Sequence, residues 1–320
     1  MLTVTGVPAV APRQPAGAPE DGRGAVVRGV PVQVQQTLRV LRRGIGDPTF
    51  RVEYGPDDGP VNAVWRATRT PEGPATLRVR VGGRAAGEDE VELTAWGEGA
   101  RWLLEQGPAL LGAEDDLDGF AEIAATHPLL AEAHRTRPHL RLIRSGLVLE
   151  ALIPAVLEQK VTTRSAYSAW RRLVRSYGEP APGPDWMPAE LCLPPTPHSW
   201  AMIPSWEWRR AEVDGKRAET IIRVCRRAPA VERLAALEPA EASAKLQTIA
   251  GIGPWTAAET LQRSHGAADL VSVGDLHLPR IVCGILGAPG EHYDDERMLE
   301  LLAPFAPHRQ RAVRLLLSKR

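Results

Sequence analysis

Between residues 50 and 96 apolar and polar side chains alternate in short runs, at 50–54, 63–68, 76–81 and 91–96. Turn formers separate the runs, Gly55-Pro56-Asp57-Asp58-Gly59 and Pro71-Glu72-Gly73-Pro74 among them. A period of two bounded by Gly, Pro and Asp predicts an antiparallel sheet. Residues 32–41 read as a further strand-like stretch, and residues 97–104 as a short helix packed on the sheet. Residues 1–30 hold Ala, Pro, Gly and Val with scattered charges, too little to build a core, and predict a disordered tail.

Beyond about residue 110 helical periodicity takes over. Residues 147–159 are almost continuously apolar and predict a buried central helix, which Pro154 either kinks or starts. Residues 166–177 predict an amphipathic helix ended by Gly178. The proline-rich stretch 179–205 predicts a long loop around a short helical turn. Further helices are expected at 217–225 and 239–246, and Asp294-Asp295-Glu296 supplies acids suited to the start of a penultimate one. The predicted fold class is α+β: a tail over 1–30, a small antiparallel β-rich domain over 31–110, then an all-helical domain over 111–320.

A length of 320 residues suffices for two such cores. No stretch of about twenty apolar residues exists, so no membrane span is expected. The start lacks a basic segment followed by an apolar run, and the chain reads as cytoplasmic. Cys192, Cys225 and Cys283 lie far apart with no CxxC spacing, which argues against a zinc site, an iron–sulfur cluster or a disulfide framework. A net charge of zero counts against a nucleic-acid binder. Its distribution changes that view, because 88–122 is acidic and 135–175 basic. Such asymmetry permits a basic face opposite an acidic one, although solvated helix faces give the same pattern.

The most informative run is 246–260. One helix ends, Gly251-Ile252-Gly253 makes a tight turn, and Pro254 begins a second helix. Glycines there suit positive φ, and the amides of a fresh helix N-terminus form an anion site matched to a DNA phosphate. The Thr256 hydroxyl is a candidate for a further phosphate contact. Carbonyls on the inner side of the hairpin (Gln247, Ile249, Ile252) are candidates for a monovalent cation bridging to that phosphate. Equally, a GxG turn serves as a plain helix connector. Farther on, Val273-Gly274-Asp275-Leu276-His277 carries a carboxylate in an apolar stretch before a helical run. Asp275 is either a chemical group or a helix cap, since Asp favours that position.

Residues 246–257 followed by Gly274-Asp275 resemble the helix-hairpin-helix, Gly/Pro-rich loop and aspartate motif of the DNA glycosylase superfamily. The match is to the AlkA-type 3-methyladenine DNA glycosylases. The resemblance covers most of 112–320, and more loosely the β-rich segment. It implies that Asp275 is the catalytic carboxylate, and that Gly251, Gly253 and Thr256 meet DNA. It also implies that Gln159 and Lys160 lie at a turn beside the base pocket.

In that superfamily the members with lyase activity carry a lysine two residues after the second hairpin glycine. Trp255 stands there, which implies a monofunctional enzyme releasing damaged, alkylated purines from double-stranded DNA in base-excision repair. It would act as a monomer, in the cytoplasm at the nucleoid, without a cofactor. Trp255 is expected to line the pocket, with core packing as its other reading. Glu259 and His308 fall where AlkA-type enzymes present aromatic walls, which implies a more polar pocket with a different base preference. The alternatives are a non-catalytic helix-hairpin-helix DNA-binding protein and a glycosylase for another lesion class.

Overall fold

A computed structural model describes residues 22–28, 32–55, 61–81, 90–287 and 293–318. The strands β1 (Arg23–Arg28), β2 (Phe50–Tyr54), β3 (Val61–Thr70), β4 (Gly73–Val81) and β5 (Glu90–Trp96) form one antiparallel sheet, in the order β1-β5-β4-β3-β2. The β3–β4 hairpin is closed by Thr70↔Gly73 pairing. Gly73 has φ +122°, a backbone conformation that side chains with a Cβ avoid.

Two expectations at the start of the chain are corrected. Residues 23–28 are not a tail: Ala25 and Val27 are buried and the segment pairs with β5 along its length. Its low hydrophobicity hides a period-two pattern that needs only two apolar side chains on the covered face. Residues 1–21 and 29–30, which that expectation also covered, lie outside the described residues. The second correction is at 32–41, which is helical: α1 (Val34–Leu38) runs into a 3₁₀ turn over Arg39–Leu41. Val34, Thr37 and Leu38 are buried while Gln35 and Gln36 are exposed. That spacing is helical, and two hydrophobes in five residues fit it as well as a strand.

Both faces of the sheet are covered. One face (Val64, Leu77, Val79, Leu93) packs under α1, α2 (Ala100–Glu105) and α3 (Gly107–Leu110). The other carries Trp65 and Trp96, stacked at 5.4 Å between ring centroids, and meets Ala181, Leu191 and Leu193 of the proline-rich stretch. That stretch forms a small ladder of β6 (Glu179–Pro180) and β7 (Cys192–Leu193), so it is the sheet's second cover as well as a connection.

The helices build two further cores. α4 (Phe120–Ala125) and α5 (Pro128–Thr136) lead into α6 (Val148–Leu157), where nine residues are buried. Pro154 lies inside α6 rather than at its start, and the carboxylate of Glu232 accepts from the N–H groups of Val148 and Leu149 at 2.9 Å each. Around α6 pack α7 (Thr163–Tyr177), α8 (Pro197–Met202), α9 (Ser205–Arg210), α10 (Gly215–Cys225), α11 (Ala228–Glu232), α12 (Pro239–Gln247) and α13 (Pro254–Ser264). Trp170, Trp200 and Trp208 stack in series inside this core, while Trp206 is exposed.

The other helical core joins α4 and α5 to α14 (Leu278–Leu286), α15 (Asp295–Leu302) and α16 (Arg309–Leu317). Residues 271–277 bridge the two. The class is α+β, as expected. Among the described residues no helix is long and apolar enough to cross a membrane.

Candidate active site

α12 ends at Gln247 and α13 begins at Pro254, with Ile252 buried beneath the turn between them. The two glycines of the turn differ in what requires them. Gly251 has φ +95°, and a Cβ there would lie 2.1 Å from Thr220 Oγ1 on α10. Gly253 has extended backbone and nothing within 4 Å of its would-be Cβ, so the space above it is open. The N–H groups of Gly253, Trp255 and Thr256 have no acceptor among the described residues. Such orphan donors at a helix N-terminus attract an anion. Two side chains brace the turn: Arg223 donates to the Ala250 carbonyl at 2.7 Å, and Gln159 to that of Gly251 at 2.9 Å.

Thr256 does not face outward. It is 2 % exposed, and its hydroxyl accepts from Gln159 at 2.8 Å. A helix begun at Pro254 turns its third residue inward, so the hydroxyl ties the α6–α7 turn to the hairpin instead of meeting solvent. In that turn Lys160 is exposed and has φ +54°, a left-handed conformation uncommon outside glycine.

Asp275 sits where the two helical cores meet. Its Oδ1 accepts from the N–H groups of His277 and Leu278, at 2.8 and 2.9 Å, at the start of α14. Its Oδ2 accepts from the Trp255 indole at 2.9 Å. One oxygen of Asp275 thus caps α14, as Asp at that position can, and the other is held by Trp255. Three donors in all meet the carboxylate. Gly274, at φ +90°, lets the chain turn into the site and donates its N–H to Asp295 of α15 at 3.0 Å. Leu276 is 85 % exposed beside it, and His277 is also exposed.

One helical turn beyond Trp255, Glu259 has both oxygens engaged. Ser272 donates to Oε1 at 2.5 Å, and Arg263 pairs with Oε2 at 2.7 Å. Ser272 is three residues before Asp275, so Trp255, Glu259 and the carboxylate share one side of α13.

Glu259 also lines a cavity of about 310 Å³ between α13, α16 and the 36–40 segment. Sequence reasoning missed most of its polar lining, Arg39, Arg137, Gln262, Arg263, Gln310 and Arg314 among it, which comes from distant parts of the chain. Only Arg263 left a local signal, its i,i+4 spacing from Glu259. His308, expected as a wall, is not in the cavity. It is 4 % exposed, edge-on to Phe120 at 5.2 Å, with Nε2 3.2 Å from the Asp118 carbonyl. It stands before the first turn of α16 and faces α4. The helical period puts Gln310 and Arg314 on the cavity side.

No family model matches the chain. It is 27 % identical over 199 residues to the DNA-3-methyladenine glycosylase of Bacillus subtilis, covering 60 % of this chain and 63 % of that relative's length. Among solved structures it resembles the 3-methyladenine DNA glycosylase of Archaeoglobus fulgidus, with a TM-score of 0.71 at 18 % identity over 91 % of this chain and 97 % of that one. It also resembles the 8-oxoguanine glycosylase/lyase of Clostridium acetobutylicum, with a TM-score of 0.67 at 12 % identity over 96 % and 97 % of the two chains. The chain is a homologue of a DNA-3-methyladenine glycosylase and has the sheet-plus-helix fold of the helix-hairpin-helix DNA glycosylases.

Proposed function

We propose that the protein is a monofunctional DNA glycosylase of base-excision repair, hydrolysing the N-glycosidic bond of alkylated or oxidised bases with Asp275 as its catalytic carboxylate. The observation that carries this reading is the 2.9 Å contact between Trp255 and Asp275 beside an open helix-hairpin-helix turn. The clostridial glycosylase/lyase, whose fold this chain shares, has been crystallised with double-stranded DNA, which supports the same partner here.

The hairpin binds a backbone phosphate through the free amides at the start of α13, with the open space over Gly253 admitting the strand. The base leaves the stack, because the bond to be cut is out of reach within a duplex. Lys160, exposed at the α6–α7 turn, adds positive charge toward the strand. Departure of the base leaves an oxocarbenium-like sugar. The Asp275 carboxylate faces that charge, and at about 4 Å with an effective dielectric near 20 the attraction is roughly 4 kcal/mol. That corresponds to about three decades in rate. Oδ2, with one donor on it, retains a lone pair to hold the attacking water. Trp255 offers no amine, so no Schiff base forms and the strand stays uncut.

The carbonyls of Gln247, Ile249 and Ile252 are neutral oxygen donors suited to a monovalent cation, which would add positive charge beside the phosphate. The protein works as a monomer in the cytoplasm, at the nucleoid.

The test is release of free base from duplex DNA carrying single lesions, comparing the wild type with D275N. Release that falls about a thousandfold while affinity for abasic duplex persists supports the reading, on the charge argument above. Absence of release from every lesion, with DNA binding intact, supports a non-catalytic DNA-binding protein instead.

A further inference from the structure

The cavity between α13, α16 and the 36–40 segment encloses about 310 Å³, large enough for a flipped base, and Glu259, one helical turn beyond Trp255, is its nearest wall residue to Asp275 along α13. Its one carboxylate, Glu259, is neutralised by Arg263 and accepts a hydrogen bond from Ser272. The remaining charges are cationic. Arg314 donates Nη2 to the carbonyls of Gln36 and Thr37, at 3.2 Å each. Its Nε and Nη1, like Nη2 of Arg263, have no acceptor among the described residues. Arg39 has no side-chain partner there either. Gln310 contributes a side-chain oxygen that is buried and unpartnered. A buried amide oxygen without a donor is costly, and several guanidinium N–H groups face the same space.

Asp275 and the cavity are linked through α13 and its neighbour. Trp255 donates to Asp275, and Glu259 lies one turn later in the cavity wall. Ser272 holds Glu259 on one side and, on the other, accepts from Gln262, which also lines the cavity. A sugar whose C1′ lies beside Asp275 would direct its base along this face of α13.

Resting on the reading of the protein as a glycosylase, we propose that the cavity receives the extruded base and determines specificity. It selects a neutral base that presents carbonyl oxygens beside a ring N–H, an oxidised or deaminated base, over an N-alkylated purine that carries positive charge. Carbonyl oxygens accept from Arg314 and Arg263, and the ring N–H lies against the side-chain amide of Gln310 in the cavity wall. A cationic purine meets Arg314 and Arg39 with like charge and finds no free carboxylate in the cavity, since Glu259 is paired with Arg263. Burial together with the nearby Arg263 charge brings the Arg314 pKa down to about 10, which still leaves it charged at neutral pH.

The test compares release rates, under single-turnover conditions, from duplexes holding 8-oxoguanine, hypoxanthine or 7-methylguanine. At least one of the first two is expected to be released about tenfold or more faster than 7-methylguanine, the discrimination of one well-placed polar contact. R314M and, independently, Q310L are expected to shrink that ratio, with affinity for abasic duplex reporting that each variant is folded. Release of 7-methylguanine as fast or faster by the wild type overturns this proposal and leaves the glycosylase reading intact. An unchanged ratio in both folded variants overturns the role of the cavity. Release of none of the three bases counts against the glycosylase reading itself.

Discussion

Trp255 and Asp275 come from segments packed into different helical cores, and a single hydrogen bond of 2.9 Å joins them. The indole therefore fixes the direction of the carboxylate that caps α14. Replacing the indole donor while keeping an aromatic ring separates orientation from packing. W255F is expected to slow base release by roughly ten- to a hundredfold, the effect of losing a hydrogen bond to a charged group. Single-turnover kinetics with abasic-duplex affinity as control measures it. An unaltered rate would show that the bond does not position the carboxylate.

The absence of an amine at this position gives a chemical readout. Borohydride added during turnover is expected to leave no covalent protein–DNA adduct, and the abasic product should remain an intact strand until treated with base. An adduct would point to a lysine elsewhere, with Lys160 the first to examine.

The two hairpin glycines should behave differently. G251A forces a Cβ to 2.1 Å from Thr220 Oγ1 at φ +95° and is expected to cost about 1–3 kcal/mol of stability. G253A meets nothing within 4 Å and should change stability by less than about 0.5 kcal/mol. Its effect should fall on DNA affinity instead, because the added methyl enters the space left for the strand. Denaturant unfolding and duplex binding of both variants resolve the two effects.

Asp269 predicts a pH dependence. Burial acts to raise its pKa, and the hydrogen bonds and charge of Arg309 outweigh burial and hold it below the ordinary carboxylate range. A carboxylate whose folded pKa is depressed contributes stability that is present above the unfolded pKa and lost as pH falls through the folded one. The destabilisation caused by D269N should therefore be largest near pH 7 and shrink as the solution becomes acidic enough to protonate carboxylates. Urea midpoints of wild type and variant at the two extremes test the sign. A penalty that grows toward acid would contradict it.

Local features were the legible ones. Gly251-Ile252-Gly253-Pro254-Trp255 and Gly274-Asp275 announce themselves because each combines a turn, a helix start and a chemical group within a few residues. The sheet strands with regular alternation were equally readable. The cavity was not, since Arg39, Arg263, Gln310 and Arg314 come together only when the chain's early segment, α13 and α16 pack. His308 was misjudged for the same reason: two residues from Gln310 along the chain, it faces Phe120 on the other side of the helix. Thr256 was misread because its side of α13 packs inward, where Gln159, far away in sequence, meets its hydroxyl.

Arg39 and Val40 belong to the segment that follows the first sheet strand, yet Arg39 lines the same cavity as Glu259, and the Val40 carbonyl accepts from Arg263 at 3.0 Å. The sheet region thus forms one jaw of a vice whose other jaw is α13 and α16. On its far face the sheet carries the stacked tryptophans and their proline-rich cover. On the proposal that this cavity takes the base, substitutions that shift the sheet should alter base selectivity while touching neither the hairpin nor Asp275.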